Sequence, residues 1–196
     1  MLERDAMRKR LVVVEGFDRV GKDTVIRGFL DKHSDAKQYV QPTSESVGIS
    51  YRDIHAFEDY LSDHYREVVD NIIDMSKKES VNTIITTRLF VSDMAYSKLF
   101  ERKYQFGPIA EEKELKKFCE PICFCILWKN YDEYLKRVAK CEDSVIEYSE
   151  KEFYELQGLF EDAMAKMGGG ILWIEESTTR EYILENLESI VKRSSI

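Results

Sequence analysis

The segment of this chain best equipped for chemistry is a glycine-framed loop with one lysine, Gly16-Phe17-Asp18-Arg19-Val20-Gly21-Lys22-Asp23-Thr24. It matches G-x-x-x-x-G-K. In that spacing two glycines let the backbone wrap closely enough for successive N–H groups to face an anion, and the lysine adds a movable positive charge. The backbone of Gly16, Phe17, Val20 and Gly21, with Lys22, Asp23 and Thr24, is the expected polyphosphate cradle. A helix opening at Lys22 would add the positive end of its dipole. A bland strand-to-helix turn has no use for lysine there. After the lysine comes Asp23, where such loops place a hydroxyl on Mg²⁺. Asp23 and Thr24 can serve as oxygen ligands of Mg²⁺; equally, a carboxylate is favoured at that place by the helix dipole, and both readings stand.

Such a loop needs a strand to deliver it and a helix to receive it, and the flanking residues supply both. Leu11–Val14 has the pattern of a buried strand ending at Glu15-Gly16, and Lys22–His33 carries Val25, Ile26, Phe29 and Leu30 on one helical face. Short apolar runs then alternate with segments of helical period. Strands are expected at Lys37–Val40, Asn82–Thr87, Ile122–Trp128 and Ile171–Ile174. Helices are expected from Ile54 through Met75 and at Ser92–Phe100, Pro108–Lys117, Tyr131–Lys140, Glu152–Met167 and Arg180–Lys192. Pro121 is expected just ahead of its strand, and Gly168-Gly169-Gly170 should stop the helix before them. Five nearly continuous apolar strands separated by helices predict one α/β domain over residues 1–196, with a parallel sheet covered on both faces. Open sheets of this kind hold ligands at the carboxyl ends of their strands, where the loop falls.

The chain of 196 residues has 29 Lys and Arg against 37 Asp and Glu, a formal charge of −8. That balance speaks against duplex nucleic acid as a partner, which wants a basic face, and leaves room for a small anion in a local basic pocket. Hydrophobic residues at 43% and charged residues at 34% make a globular composition. The longest apolar run, Ile122–Trp128, is seven residues, where a helix through a membrane needs about twenty. The opening MLERDAMRKR is too polar for a secretory leader, so Cys119, Cys123, Cys125 and Cys141 are expected reduced in a cytoplasmic setting. Cys123 and Cys125 lie inside an apolar run and suit buried small hydrophobes better than zinc ligands.

With the residue before it, the loop Glu15-Gly16-Phe17-Asp18-Arg19-Val20-Gly21-Lys22-Asp23-Thr24 resembles that of thymidylate kinases, E-G-x-D-x-x-G-K-S/T-T. Thr87-Arg88-Leu89-Phe90-Val91-Ser92-Asp93-Met94-Ala95-Tyr96 is similar to that family's D-R-Y-x-x-S-x-x-A-Y/F. Tyr60-Leu61-Ser62-Asp63-His64-Tyr65-Arg66-Glu67-Val68 is similar to its base-binding helix, F-x-x-x-R-W-x-x-V. Lys136-Arg137 and Tyr148 fall where the family has its lid and adenine clamp, the lid spanning about 140–150. The resemblance implies a three-layer α/β/α P-loop kinase fold with a five-stranded parallel sheet and a short lid. It implies ATP and Mg²⁺ as cofactors and transfer of the γ-phosphoryl group to a deoxynucleoside 5′-monophosphate, dTMP or a related deoxypyrimidine nucleotide. Small-molecule nucleotides are then the partners, and the assembly is a homodimer. A P-loop kinase for another or modified nucleotide, and a nucleotide-binding module without turnover, are the rival readings.

Position by position, the resemblance implies that Lys22 and the loop amides hold the donor phosphates. Asp18 bonds the acceptor's 3′-hydroxyl, and Arg19 is the catalytic arginine. In that family an arginine in the loop goes with a lid poor in basic residues, and Lys140-Cys141-Glu142-Asp143-Ser144-Val145-Ile146-Glu147 has three acidic residues against one basic. Arg88 would grip the acceptor phosphate with its planar fork. Tyr60 would lie against the base with His64 at its edge, Tyr96 would crowd the 2′ position, Ser92 and Tyr148 would line the acceptor, and Arg137 would stack on adenine. From the residues alone, Tyr60 and Tyr96 suit a core equally well, Arg137 suits a solvated helix face, and Arg66 rivals His64 as the base contact. Three departures touch acceptor and metal. Thr87 replaces the aspartate expected near Mg²⁺, Leu89 replaces a tyrosine, and Gln41-Pro42-Thr43-Ser44-Glu45 lacks an arginine, leaving Arg52 to assist Arg88. Lys22 is expected to be exposed and of little weight in folding.

Overall fold

A computed structural model describes residues 9–41, 48–49, 54–101, 113–140 and 147–194. Five strands, β1 (Lys9–Gly16), β2 (Ala36–Gln38), β3 (Thr83–Thr87), β4 (Cys119–Trp128) and β5 (Gly170–Ile174), pair in the order β2-β3-β1-β4-β5, every neighbouring pair parallel. Among the described residues they alternate with α1 (Lys22–Lys32), α2 (Ile54–Ser76), α3 (Phe90–Leu99), α4 (Tyr131–Val138), α5 (Glu150–Met167) and α6 (Arg180–Arg193). Helix α1 packs against α6 and α3 against α5, while α2 packs on β3 and is tied to the turn before α3. The central strands are buried from both sides, which is why Leu11–Val14 is apolar at every position instead of alternating.

The differences from the expected elements have local causes. β4 begins at Cys119, so Pro121 lies inside the strand, in register with Leu11. Proline is tolerated there because β5 covers β4 only from Phe124 onward, which leaves one edge of β4 free at residue 121. Helix α5 starts at Glu150 because Ser149 and Glu152 form a reciprocal capping box. Strand β2 is shorter than expected, ending at Gln38, although the Tyr39 N–H still donates to Ile85 O. Of the helix expected over 108–117, residues 113–115 are helical and 116–118 form a turn, and the remainder lies outside the described residues. So do Pro42 to Glu45, Arg52, Cys141 and lid residues 142–146. Cys119, Cys123 and Cys125 are buried free thiols. No helix among the described residues is long and apolar enough to cross a membrane.

Candidate active site

The loop leaves β1 at the carboxyl edge of the sheet, between the ends of β3 and β4. Gly16 (φ 122°) and Gly21 (φ 85°) take conformations that favour glycine, and Arg19 is left-handed (φ 65°) without being one. Lys22 opens α1 and folds back over the loop, its Nζ donating to Gly16 O at 3.0 Å and to Phe17 O. An ammonium has three donors, so one is left for an anion in the loop. The lysine is not the exposed side chain expected from sequence: it is only 7% exposed, because the curled backbone encloses its stem. Burial lowers its pKa to about 8, against opposing contributions from Glu15, Cys125 and Asp23. The ammonium charge is therefore complete well below pH 8 and declines as pH rises through that value. ATP affinity without metal is expected to be about tenfold weaker at pH 9 than at pH 7. Calorimetric titration checks this, and constant affinity up to pH 9.5 would contradict it.

Glu15, one residue before the loop glycine, is fully buried. Its Oε1 accepts from the N–H groups of Leu89 (3.0 Å) and Val91 (3.1 Å), and its Oε2 from the N–H (3.1 Å) and hydroxyl (2.5 Å) of Ser92. The carboxylate thus caps α3, whose own N-cap residue, Leu89, offers no side-chain bond. With the cap supplied from β1, the helix starts at Phe90 rather than Ser92. The turn is also held by the Arg88 N–H, which donates to Val14 O (3.3 Å), and by Tyr65 of α2, whose hydroxyl donates to Leu89 O (2.8 Å). Neither Glu15 nor Tyr65 received a role from the sequence. A carboxylate ending an apolar strand was the available signal for the first; nothing local marks the second.

Across the mouth of the loop, Arg88 Nη2 forms an ion pair with Asp18 Oδ1, so the residues expected at acceptor phosphate and sugar are joined. Arg88 is itself left-handed (φ 51°). Tyr96 stands beside them: burial raises its phenol pKa well above the usual value, with Tyr148 adding and Arg88 opposing. Tyr148 is fastened to α4, since the Tyr131 hydroxyl donates to its carbonyl (2.9 Å) and its N–H donates to Tyr134 Oη (3.2 Å). Phe17 is fully buried, stacked on Phe153 at 5.0 Å between centroids and edge-on to Tyr148, which anchors the loop to α5. Ser92 directs both its N–H and its hydroxyl at Glu15.

One turn apart on α2, Tyr60 and His64 stack at 5.0 Å with 11° between their planes. His64 is buried, and its Nε2 has no hydrogen-bond partner among the described residues. Burial lowers its pKa, with Glu67 opposing, which favours the neutral ring. Arg66 leaves the helix on another side, exposed, in ion pairs with Asp70 (3.7 Å) and Glu114 (3.6 Å). Of the two rivals, His64 is the one beside Tyr60. Arg137 is exposed in the last turn of α4.

Asp23 and Thr24 are exposed in the first turn of α1. Among the described residues no three His, Cys, Asp or Glu gather into a metal cage. These donors fit a Mg²⁺ that arrives on nucleotide phosphates, because such an ion takes only one or two protein oxygens and keeps its waters.

A lysine-bearing phosphate loop thus leaves the middle strand of a parallel sheet ordered β2-β3-β1-β4-β5. No protein-family model matches the chain and no curated protein matches it in sequence. Among solved structures, thymidylate kinase from Candida albicans aligns with a TM-score of 0.58 at 16% identity, over 95% of this chain and 92% of its own. Thymidylate kinase from Ehrlichia chaffeensis aligns at 0.60 and 14%, over 94% and 99%. The YorR protein of Bacillus subtilis, solved in complex with phosphorylated GDP, aligns at 0.61 and 16%, over 94% and 96%. The chain has the fold of thymidylate kinases.

Proposed function

We infer that this chain transfers the γ-phosphoryl group of ATP to a nucleoside monophosphate, with a deoxypyrimidine nucleotide such as dTMP as the acceptor class. The observation that carries this reading is a pair of cationic groups at one edge of the sheet: Lys22, folded over its loop, and the guanidinium of Arg88, paired with Asp18 of the same loop. Phosphoryl transfer leaves little covalent work to the protein, so holding two phosphate groups in line and neutralising their charge supplies most of the rate. The loop amides and Lys22 would hold the donor. Arg88 would exchange Asp18 for the acceptor phosphate and free that carboxylate for the sugar hydroxyl. Mg²⁺ supplies further charge neutralisation on the donor phosphates, with Asp23 and Thr24 as its protein ligands. The acceptor base would lie on Tyr60 with His64 at its edge, Tyr96 and Tyr148 beside the sugar, and Arg137 on the donor's adenine. A neutral imidazole can donate or accept one bond, so it tolerates either a carbonyl or an amino edge on the base. The assembly in this reading is a homodimer, which sedimentation would check.

The test is a panel of ribo- and deoxyribonucleoside monophosphates, guanine included, incubated with Mg·ATP and resolved by chromatography. Deoxypyrimidine monophosphates are expected to give diphosphate with the highest kcat/KM. Diphosphate from another acceptor alone would overturn the acceptor assignment, and ATP binding without any transfer would overturn the kinase reading.

Arg19 allows backbone and charge to be separated. Its left-handed conformation costs a non-glycine residue about 1 kcal/mol, so Arg19→Gly relieves strain while removing the guanidinium. Stability in urea is expected to stay within about 1 kcal/mol of the parent, while kcat falls about a hundredfold with a smaller change in KM. An unchanged kcat would remove Arg19 from catalysis.

A further inference from the structure

We propose that Glu15 is a positioning residue whose carboxylate fixes the acceptor-phosphate turn, residues 88–92, against the donor loop. This role rests on the monophosphate kinase reading and deepens it.

A fully buried carboxylate is costly unless its lone pairs are taken up, and here both oxygens are used, each by two donors of the same turn. A serine or aspartate at residue 89 would have capped α3 locally. The cap comes instead from the residue bonded directly to Gly16, so donor loop and acceptor turn share one peptide unit and one carboxylate. Arg88 precedes the first of the capped amides, and its left-handed backbone sets the direction in which the guanidinium leaves the turn. The grip is oriented as well as strong. Oε1 takes Leu89 and Val91 while Oε2 takes Ser92 twice, so the carboxyl plane cannot rotate without losing bonds. Electrostatics alone would argue against a carboxylate at this place, because a negative charge beneath a polyphosphate loop opposes the ligand. Placement of the turn is the benefit that offsets it.

Glu15→Gln separates the two effects. An amide has one accepting oxygen, so either the Ser92 N–H or the Leu89–Val91 pair of N–H groups would face an NH₂ group, donor against donor. The acceptor KM is expected to rise about tenfold or more and kcat to fall, while ATP affinity changes little when measured near pH 6, where Lys22 stays charged without the support of Glu15. Hydrogen exchange at the amides of Leu89, Val91 and Ser92 should quicken without matching change in β1 or β3, a readout independent of turnover. Ser92→Ala removes one of the four bonds and should give the same split on a smaller scale, which decides the matter if the glutamine variant does not fold. Parallel weakening of acceptor and ATP, or an unchanged acceptor KM in folded variants, would overturn the role of Glu15. Failure of the parent chain itself to bind any nucleoside monophosphate would overturn the kinase reading, and this role with it.

Discussion

Replacing Lys22 by alanine is expected to lower turnover by about 10³-fold or more, with folding stability changed by no more than about 1 kcal/mol. The two effects separate because the lysine contributes little net energy to the fold and a large amount to the transition state. Its ammonium donates to Gly16 O and Phe17 O, so truncation leaves two loop carbonyls short of a donor. Against that loss, a cation desolvated enough for its pKa to fall to about 8 is removed from the interior, and the two contributions largely cancel. Nothing cancels in the transition state of the proposed transfer, where charge spread over the moving phosphoryl group meets a low-dielectric loop and, among the described residues, no other ammonium is bonded to the Gly16 and Phe17 carbonyls. Lys22→Met, which keeps most of the stem, should lose as much turnover as alanine, because the charge and not the packing is missing. Steady-state kinetics beside urea denaturation checks both halves. Turnover within tenfold of the parent would end the donor-site assignment.

Most of the fold was legible because its signals are local. The continuous apolar runs of β1 and β4 belong to strands covered on both faces, and the three-to-four residue spacing on α2 and α6 gave those helices to within a residue or two. The loop was legible for the same reason, since every one of its requirements lies within nine residues. What escaped was whatever depends on partners distant in sequence. The cap on α3 arrives from Glu15, the Arg88 guanidinium is held by Asp18, and the Leu89 carbonyl is bonded by Tyr65. None of these pairs leaves a trace in the spacing around either member. The burial of Lys22 escaped because a lysine between loop and helix carries no local sign of enclosure. Which of the two rivals lies beside Tyr60 could have been read from periodicity: Tyr60 and His64 are four residues apart and share a helical face, while Arg66, two residues further on, does not.

The two loop glycines look equivalent in the motif and are expected to behave very differently when replaced by alanine. At Gly16 a Cβ would lie 2.0 Å from the carbonyl oxygen of Ile126, with the carbon and nitrogen of the same residue at 2.8 and 2.9 Å. All three atoms belong to the backbone of β4, and Gly16 is in register with Ile126, so no side-chain rotation can relieve the clash. The φ of 122° adds a conformation that L residues rarely adopt. Gly16→Ala must therefore part β1 from β4 or abandon the loop, at a cost of about 4 kcal/mol or more. At Gly21 a Cβ would meet nothing within 4 Å, and only the left-handed backbone opposes it, at about 1–2 kcal/mol. Urea denaturation should rank the variants in that order. ATP binding should be lost with Gly16→Ala even where the protein still folds, since Lys22 closes the loop through the Gly16 carbonyl, and should persist with Gly21→Ala at reduced affinity. Equal destabilisation by the two substitutions would mean that the loop does not approach β4 as closely as its geometry requires.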